Sequence, residues 1–168
     1  MPKAPSGIRN AAIAVILSLV LGCASEPPRP EPAQASRYVP RGSGSPRSIS
    51  QRAALAAVKQ LGAPYRYGGS NEQGFDCSGL VQYAYAKAGM SLPRTTNDLW
   101  RQLEPVPARD LRIGDVLFFD IDGRVAHVGL YLGGRRFVHA PESGSEVSVA
   151  SLESDYYRAA FVRGGRPR

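Results

Sequence analysis

The chain has 168 residues, of which 21 are Lys or Arg, 14 are Asp or Glu and two are His, giving a formal net charge of +7. The sequence contains no internal repeat, no phosphate-binding glycine motif and no apolar stretch of the roughly 20 residues that a membrane-spanning helix needs. The positive charge suits an anionic polymer, a membrane face or simply an evenly solvated surface, and no pattern typical of a nucleic-acid-binding module accompanies it.

The first 22 residues have the features of an export signal. Lys3 and Arg9 precede an apolar stretch that runs from Ala11 to Leu21. Because this stretch is about half as long as a transmembrane helix, it indicates the hydrophobic region of a signal peptide. We therefore expect residues 1–22 to be removed on export.

The tetrapeptide Val20-Leu21-Gly22-Cys23 resembles a bacterial lipobox. In that case Cys23 becomes the new N-terminus and carries several acyl chains such as palmitate, which suffices for stable membrane anchoring. Ala24 follows Cys23 where a retained lipoprotein would carry aspartate, which favours the outer membrane of a bacterium with two membranes. The alternative is an ordinary signal peptide with a chance cysteine.

Residues 23–47 are predicted to form a disordered tether. Six of the chain's 14 prolines fall between Glu26 and Pro46, among Ser, Arg and Glu residues that cannot form a core. A tether of about 25 residues spans roughly 30 Å as a coil and at most ~80 Å as polyproline II. The remaining residues, 48–168, suffice for one domain with one core.

Cys77 is the only cysteine besides Cys23. Exported proteins use cysteines mainly in disulfide pairs. If Cys23 carries lipid, the chain has no second cysteine with which Cys77 could form a disulfide. A thiol that stays free in an oxidising compartment indicates a residue with a chemical function. The alternative is a small buried hydrophobe.

Three helices are predicted in the first half of the domain. The first covers 50–61, the second begins at Cys77 and ends before Gly89, and the third covers 96–103, with a loop at 64–74. Asp76 can cap the second helix, so Cys77 lies in its first turn. There the helix dipole and a nearby imidazolium would lower the pKa of the thiol.

After Leu111 the pattern changes to short apolar segments separated by turns. Strands are predicted at 116–119, 126–132, 136–140, 147–150 and 156–163. Helices followed by an antiparallel meander predict an α+β domain, with the helix of Cys77 packed on the sheet.

The only two histidines, His127 and His139, fall on consecutive predicted strands. If residues 133–135 form the loop between them, Gly129 stands opposite His139 and both imidazoles share one face of the sheet. A two-residue loop would place them on opposite faces. A site that combines a thiol, a base and a group orienting that base therefore demands an odd loop length or a bulge.

Five segments together carry a specific pattern, although Asp76-Cys77-Ser78-Gly79 alone would be weak. They are Tyr65–Gly69, Gly74–Val81, Leu92–Thr96, Leu111–Phe119, and His127–Gly133 with Val138–Ala140. In this order and spacing they resemble the NlpC/P60 family of papain-like cell-wall cysteine peptidases, over about Gln51 to Phe161. The resemblance implies a papain-like α+β fold with the nucleophile at a helix N-terminus.

The resemblance also implies an activity, namely hydrolysis of peptidoglycan stem peptides. Family members commonly cut the γ-D-glutamyl to diamino-acid bond, and some cut D,D cross-links. By position, Cys77 would be the nucleophile, His127 the general base and then acid, and His139 the residue that orients His127. The expected partners are stem peptides and, through the lipid anchor, the membrane; no cofactor, metal or nucleic acid is expected.

Four further residues match family positions around the substrate. Tyr65 corresponds to a tyrosine whose hydroxyl helps the oxyanion site, although it could instead be a packed aromatic residue. Asp76, Ser78 and Arg94 correspond to positions that shape the substrate pocket. Arg94 could pair with a stem-peptide carboxylate or could form a salt bridge that closes the helix. Tyr67 departs from the family, which usually has a larger apolar residue there.

Three other functions remain open at this stage. A non-catalytic wall-binding lipoprotein would need no catalytic residues, so the presence of Cys77, His127 and His139 argues against it. The same three side chains could bind zinc, although their spacing lacks the short paired ligands typical of zinc sites. An acyltransferase or amidase of the same fold is disfavoured by export to the cell wall.

Overall fold

The computed structural model describes residues 47–168. The predicted signal peptide, the lipobox with Cys23 and all but the last residue of the predicted tether lie outside the described residues. Between residues 47 and 168, no helix is long and apolar enough to cross a membrane.

The described region contains four α-helices: α1 Ile49–Val58, α2 Cys77–Lys87, α3 Thr96–Gln102 and α4 Asp155–Ala160. Each begins at a side chain that accepts a hydrogen bond from the backbone N–H three residues later, and these caps are Ser48, Asp76, Thr95 and Ser154. The caps satisfy N–H groups that have no partner inside a helix. The three helices predicted from sequence are confirmed, with α1 three residues shorter at its end.

Eight strands lie in the same region: β1 Ser70–Asn71, β2 Gly74–Phe75, β3 Glu104–Val106, β4 Val116–Ile121, β5 Arg124–Gly133, β6 Arg136–His139, β7 Ser148–Ser151 and β8 Phe161–Arg166. The first two form a small hairpin within the predicted loop. The other six form one antiparallel sheet in the order β3-β8-β4-β5-β6-β7. The predicted α+β class is therefore confirmed.

The structure differs from the sequence-based prediction at two places near the ends of the sheet. The segment predicted as a strand at 156–163 is helical up to Ala160, because Ser154 caps a short helix there and only the residues from Phe161 onward pair with the sheet. The edge strand β3 was missed. It contains Pro105, which disfavours a central strand but is tolerated at a sheet edge.

The sheet is buried on both faces around β4, whose side chains alternate between two clusters. Val116 and Phe118 belong to the main core together with apolar residues of α1, α2 and α3. Leu117 and Phe119 belong to a smaller cluster on the other face, against which Tyr157 of α4 packs. Burial of each such large side chain contributes about 1.5–3 kcal/mol. The two clusters hold α2 and α4 on opposite faces of the same sheet.

A buried ion pair links β8, the last strand, to the turn before β4. The side chain of Asp115 is only 2% exposed, and its carboxylate accepts hydrogen bonds from Arg166 Nε at 2.9 Å and Nη2 at 2.7 Å. The backbone N–H of Arg112 donates to the same carboxylate at 2.7 Å. Loss of Asp115 would leave a partly buried guanidinium and a backbone donor without this acceptor.

We therefore expect Asp115→Ala to lower the free energy of unfolding by about 3 kcal/mol, the lower end of the range for breaking a buried pair. Urea denaturation of the purified protein measures this change. The matched control is Glu104→Ala, which removes the exposed partner of Arg168 and should leave stability almost unchanged. Equal effects of the two substitutions would contradict the structural role of the buried pair.

Candidate active site

The first turn of α2 places Cys77 against the preceding loop. Asp76 caps the helix as predicted, with its Oδ1 accepting from the N–H of Gly79 at 2.7 Å. A Cβ at Gly79 would lie 2.0 Å from the carbonyl oxygen of Gly69, so only glycine allows this approach. The backbone N–H of Cys77 lies in the first turn, where helix geometry supplies no acceptor.

Arg94 joins the predicted substrate-pocket residues into one network. Its Nη1 donates to Asp76 Oδ1 at 2.9 Å and to Ser78 Oγ at 2.9 Å, while Nη2 donates to Asp76 Oδ2 at 2.6 Å. Burial would raise the pKa of Asp76, but the bonds from Arg94 and from two backbone N–H groups outweigh it and hold that pKa below its ordinary value. Arg94 thus makes the helix-closing salt bridge. A substrate contact for Asp76, Ser78 or Arg94 stays a prediction.

The hairpin between β5 and β6 has a two-residue loop, so residues 133–135 do not form the three-residue loop that was one of the two ways to bring the histidines together. Gly133 pairs with Arg136, and Gly134 and Arg135 both have positive φ, 57° and 58°. This combination is typical of a type I′ turn. The register then shifts between Tyr131 and Gly133, which makes a bulge at the residue between them.

The bulge supplies the extra residue that the two-histidine site requires. Leu130 pairs with Val138, so Gly129 stands beside His139, and a Cβ at Gly129 would lie 3.3 Å from the Cβ of His139. His127 Nε2 and His139 Nδ1 are 2.9 Å apart, a hydrogen-bond distance. The predicted contact between the two imidazoles is therefore present, although by way of a bulge and not of an odd loop.

Aromatic rings surround both imidazoles. Phe119 packs near His127, whereas Phe137 and Tyr157 pack on His139 with ring centroids at 5.0 and 5.3 Å. Burial lowers the pKa of His127 to about 4. Burial, assisted by the charge of His127, lowers the pKa of His139 to about 3. Both imidazoles are thus neutral at neutral pH, because the low-dielectric surroundings disfavour the cation.

The hydrogen bond between the two rings joins one N–H donor to one acceptor, and the tautomers decide which ring donates. For His127 Nδ1 to accept a proton from a thiol, its Nε2 must carry hydrogen in the neutral ring. Nε2–H then donates to His139 Nδ1, and His139 in turn carries its proton on Nε2. In that arrangement His139 would be the acceptor that sets both the tautomer and the orientation of His127, as predicted from the sequence.

The electrostatic surroundings of Cys77 differ from the sequence-based expectation. Burial raises the pKa of the thiol and outweighs the backbone N–H of Val128 and the hydroxyl of Thr96, which favour the thiolate. The sulfur lies 3.9 Å from Thr96 Oγ1 and 4.0 Å from the carbonyl oxygen of Ala126. No imidazolium offsets the burial, since His127 is neutral. Burial therefore favours the protonated thiol over the thiolate.

Cys77 and His127 open onto one cavity of about 310 Å³. Its other lining residues are Tyr65, Ile121, Ala126, Pro141, Glu142, Tyr156 and Tyr157. Tyr65 is half-buried there, and burial, followed by the charge of Cys77, raises the pKa of its hydroxyl. The tyrosine predicted for the oxyanion site thus borders the same cavity as the predicted nucleophile.

Sequence reasoning missed several residues of this cavity. Tyr156 and Tyr157 were assigned to a strand, and Glu142 belongs to a turn with no recognisable motif. Thr96, which contacts the sulfur, was inside a family-like segment but received no role. Between residues 47 and 168, no group of three or more His, Cys, Asp or Glu side chains is arranged to hold a metal ion.

Comparison with known proteins shows extensive similarity to one family. Its profile, described as NlpC/P60 family, matches residues 62–166. The murein DD-endopeptidase MepH of Escherichia coli (strain K12) is 41% identical over 115 residues, covering 65% of this chain and 42% of that protein. The bifunctional muramidase/DL-endopeptidase CwlT of Bacillus subtilis (strain 168) is 42% identical over 114 residues, covering 66% of this chain and 34% of that protein.

A solved structure supports the same relationship. It is that of a Staphylococcus aureus protein described as similar to lipoprotein, NLP/P60 family, and it superposes with a TM-score of 0.64 at 34% identity. The match covers 74% of this chain and 44% of that one. The chain thus spans less than half of each of these three relatives.

The raised pKa of Cys77 and the low pKa of His127 lead to a testable prediction about alkylation of the Cys77 thiol. Because burial raises the pKa of Cys77, we expect its rate of reaction with iodoacetamide to rise with pH around a midpoint above the free-thiol value of about 8.5. Mass spectrometry of the peptide that contains Cys77 follows the rate at each pH.

The control is His127→Gln, which should leave that midpoint nearly unchanged because the imidazole it removes carries no charge. A midpoint below pH 7 that rises in His127→Gln would instead indicate a preformed thiolate–imidazolium pair and would contradict the neutral arrangement.

Proposed function

This chain belongs to the NlpC/P60 family, and on that basis we propose that it is a cysteine endopeptidase that hydrolyses peptide bonds of peptidoglycan stem peptides or their cross-links. One observation carries the proposal: Cys77 and His127 share a cavity, and His127 is hydrogen-bonded to His139 at 2.9 Å. The printed names of the two curated relatives, a murein DD-endopeptidase and a muramidase/DL-endopeptidase, support the same substrate and a location in the cell envelope.

In the first half of the reaction, the sulfur of Cys77 attacks the scissile carbonyl carbon while its proton passes to His127 Nδ1. The thiol pKa is raised and that of His127 is low, so this transfer is unfavourable before the C–S bond forms. As the bond forms, the negative charge moves to the carbonyl oxygen. The N–H of Cys77 and the hydroxyl of Tyr65 donate to that oxyanion.

The rest of the cycle uses His127 twice. Its Nδ1–H protonates the leaving amine as the C–N bond breaks, which leaves a thioester on Cys77. Water then gives a proton to His127 and attacks the thioester, releasing the carboxylic acid and restoring the thiol. His139 accepts from Nε2–H throughout and stabilises the imidazolium that forms in each half.

Two alternative functions make different demands on the same residues. A non-catalytic wall-binding protein would require neither the thiol nor the hydrogen bond between His127 and His139. A zinc protein would use Cys77, His127 and His139 as ligands, whereas in this structure His127 Nε2 is directed to His139 Nδ1. Dependence of the activity on a thiol or on a chelatable metal separates these alternatives.

We expect Cys77→Ala to release no soluble fragments from purified peptidoglycan, because no other thiol borders the cavity. Tyr65→Phe should reduce the rate by on the order of 10²-fold, the usual cost of one oxyanion donor. Mass spectrometry of the released fragments measures both effects and identifies the bond that is cut.

Two controls accompany this experiment. The melting temperature of Cys77→Ala should equal that of the parent protein, so that lost activity reflects lost chemistry. Activity should persist in EDTA and disappear after thiol alkylation. Activity that survives in Cys77→Ala, or stoichiometric zinc with chelator-sensitive turnover, would refute the cysteine mechanism.

We further propose that the enzyme is a lipoprotein of the outer membrane. The supporting observations are sequence features: the signal-like residues 1–22, the lipobox that ends at Cys23, and Ala24 after it. Residues 23–47 would then tether the domain at 48–168. The tether would set where the domain works, and the domain would supply the chemistry.

Lipidation predicts that the full-length protein partitions with membranes and incorporates labelled palmitate. Cys23→Ala should abolish the label, and a protein that begins at Ser48 should be soluble and still cleave isolated wall material. Deletion of residues 26–46 should reduce activity in cells more than activity on isolated walls, since the domain would no longer reach the wall. Equal cellular activity after that deletion would show that the tether does not provide reach.

A further inference from the structure

The cavity of the active site has a carboxylate at its rim that the proposed reaction does not use. Glu142 lines this cavity together with Cys77 and His127. Burial raises the pKa of the Cys77 thiol and lowers that of His127 to about 4, and no lining residue other than Glu142 carries a formal charge. Glu142 therefore gives the cavity a negative charge, although the chain as a whole carries a formal charge of +7.

A short turn holds Glu142 at this position through its backbone. The N–H of Glu142 donates to Ser145 Oγ at 3.1 Å, and its carbonyl oxygen accepts from the N–H of Ser145 at 3.2 Å and from the Ser145 hydroxyl. The carbonyl oxygen of Ser145 in turn accepts from the N–H of Tyr65 at 2.8 Å. The turn is thus fastened to the oxyanion side of the cavity, and the carboxylate of Glu142 takes no part in these bonds.

Two tyrosines, Tyr156 and Tyr157, line the same cavity as Glu142. Tyr156 is 60% exposed and lines the cavity, and its ring packs edge-on against that of Tyr157 at 5.0 Å. Burial raises the pKa of the Tyr157 hydroxyl, and the charges of Tyr156 and Glu142 raise it further. A carboxylate next to ring faces binds primary ammonium groups through both charge and cation–π attraction.

We propose that Glu142, Tyr156 and Tyr157 form a subsite for a primary ammonium group of the substrate, close to the bond that is cut. The proposal rests on the proposed peptidase function and specifies which peptides the enzyme prefers. A substrate residue with a free side-chain amine fits this subsite, whereas the same residue with an acylated amine loses the charge and the bond to Glu142. A carboxylate at that position would be repelled.

The test compares two stem peptides that differ only in the side-chain amine of their diamino acid, which is free in one and acetylated in the other. We expect the parent enzyme to cleave the free-amine peptide with a kcat/KM about fivefold higher, as suits one exposed ion pair with a cation–π contribution. Glu142→Gln should abolish this preference, and rising ionic strength should weaken it in the parent enzyme only.

Glu146→Gln is the matched control, since Glu146 is an exposed carboxylate of the same loop that does not line the cavity. It should retain the full preference. Calorimetric binding of both peptides to Cys77→Ala, with and without Glu142→Gln, repeats the comparison without turnover and separates recognition from catalysis.

The outcomes distinguish the two proposals. Cleavage of both peptides at equal kcat/KM, or a preference that persists in Glu142→Gln, would refute the ammonium subsite and leave the peptidase function intact. Tighter binding of the free-amine peptide that depends on Glu142, without cleavage of either peptide, would support the subsite and refute cleavage at the stem-peptide bonds that these peptides contain. Neither binding nor cleavage would refute both the subsite and cleavage at those bonds, and release of fragments from purified peptidoglycan then tests cleavage of cross-links.

Discussion

The hydrogen bond between His127 Nε2 and His139 Nδ1 is the interaction on which the rest of the site depends. It exists only in one register of β5 and β6, because side chains alternate between the faces of a strand and a shift of one residue reverses them. The bulge at Leu132 provides that register behind a two-residue turn. Gly129 allows the close approach, since a Cβ there would also lie 2.6 Å from Phe137. A backbone irregularity thus determines whether a base can be oriented.

Cys77, the proposed nucleophile, depends on a second rigid unit around the start of α2. The guanidinium of Arg94 binds Asp76 and Ser78, the two residues on either side of Cys77, and so fixes the first turn of α2. The contact of Gly79 with Gly69 presses that turn onto the preceding loop. These contacts hold the Cys77 thiol and the His127 imidazole on the lining of one cavity with little conformational freedom, which would lower the entropic part of the barrier in the proposed reaction.

Local signals in the sequence predicted much of this site. The features that depend on burial by distant segments of the chain could not be predicted. The cap at Asp76 is a short-range pattern, so the position of Cys77 in a first turn could be predicted. The need for an odd loop length or a bulge followed from strand periodicity. The sequence Gly-Gly-Arg is compatible with a three-residue loop and with a two-residue turn beside a bulge, so only the structure could distinguish them. The predicted direction of the pKa shift at Cys77 was wrong, because the pKa of this thiol depends on burial by residues that are distant in sequence. The Ser154 cap of α4 is a local signal that the sequence contains.

The central claim is that the two histidines form a neutral, directed pair before substrate binds. The most direct test is the ¹⁵N NMR spectrum of the imidazoles at pH 7, which is simple because the sequence has only two histidines. The low pKa values predict two neutral rings, with neither becoming charged until the pH falls to about 4, and the proposed mechanism predicts that each ring is protonated on Nε2. An imidazolium spectrum for His127 at pH 7 that becomes neutral in Cys77→Ala would contradict this account and demonstrate a preformed ion pair.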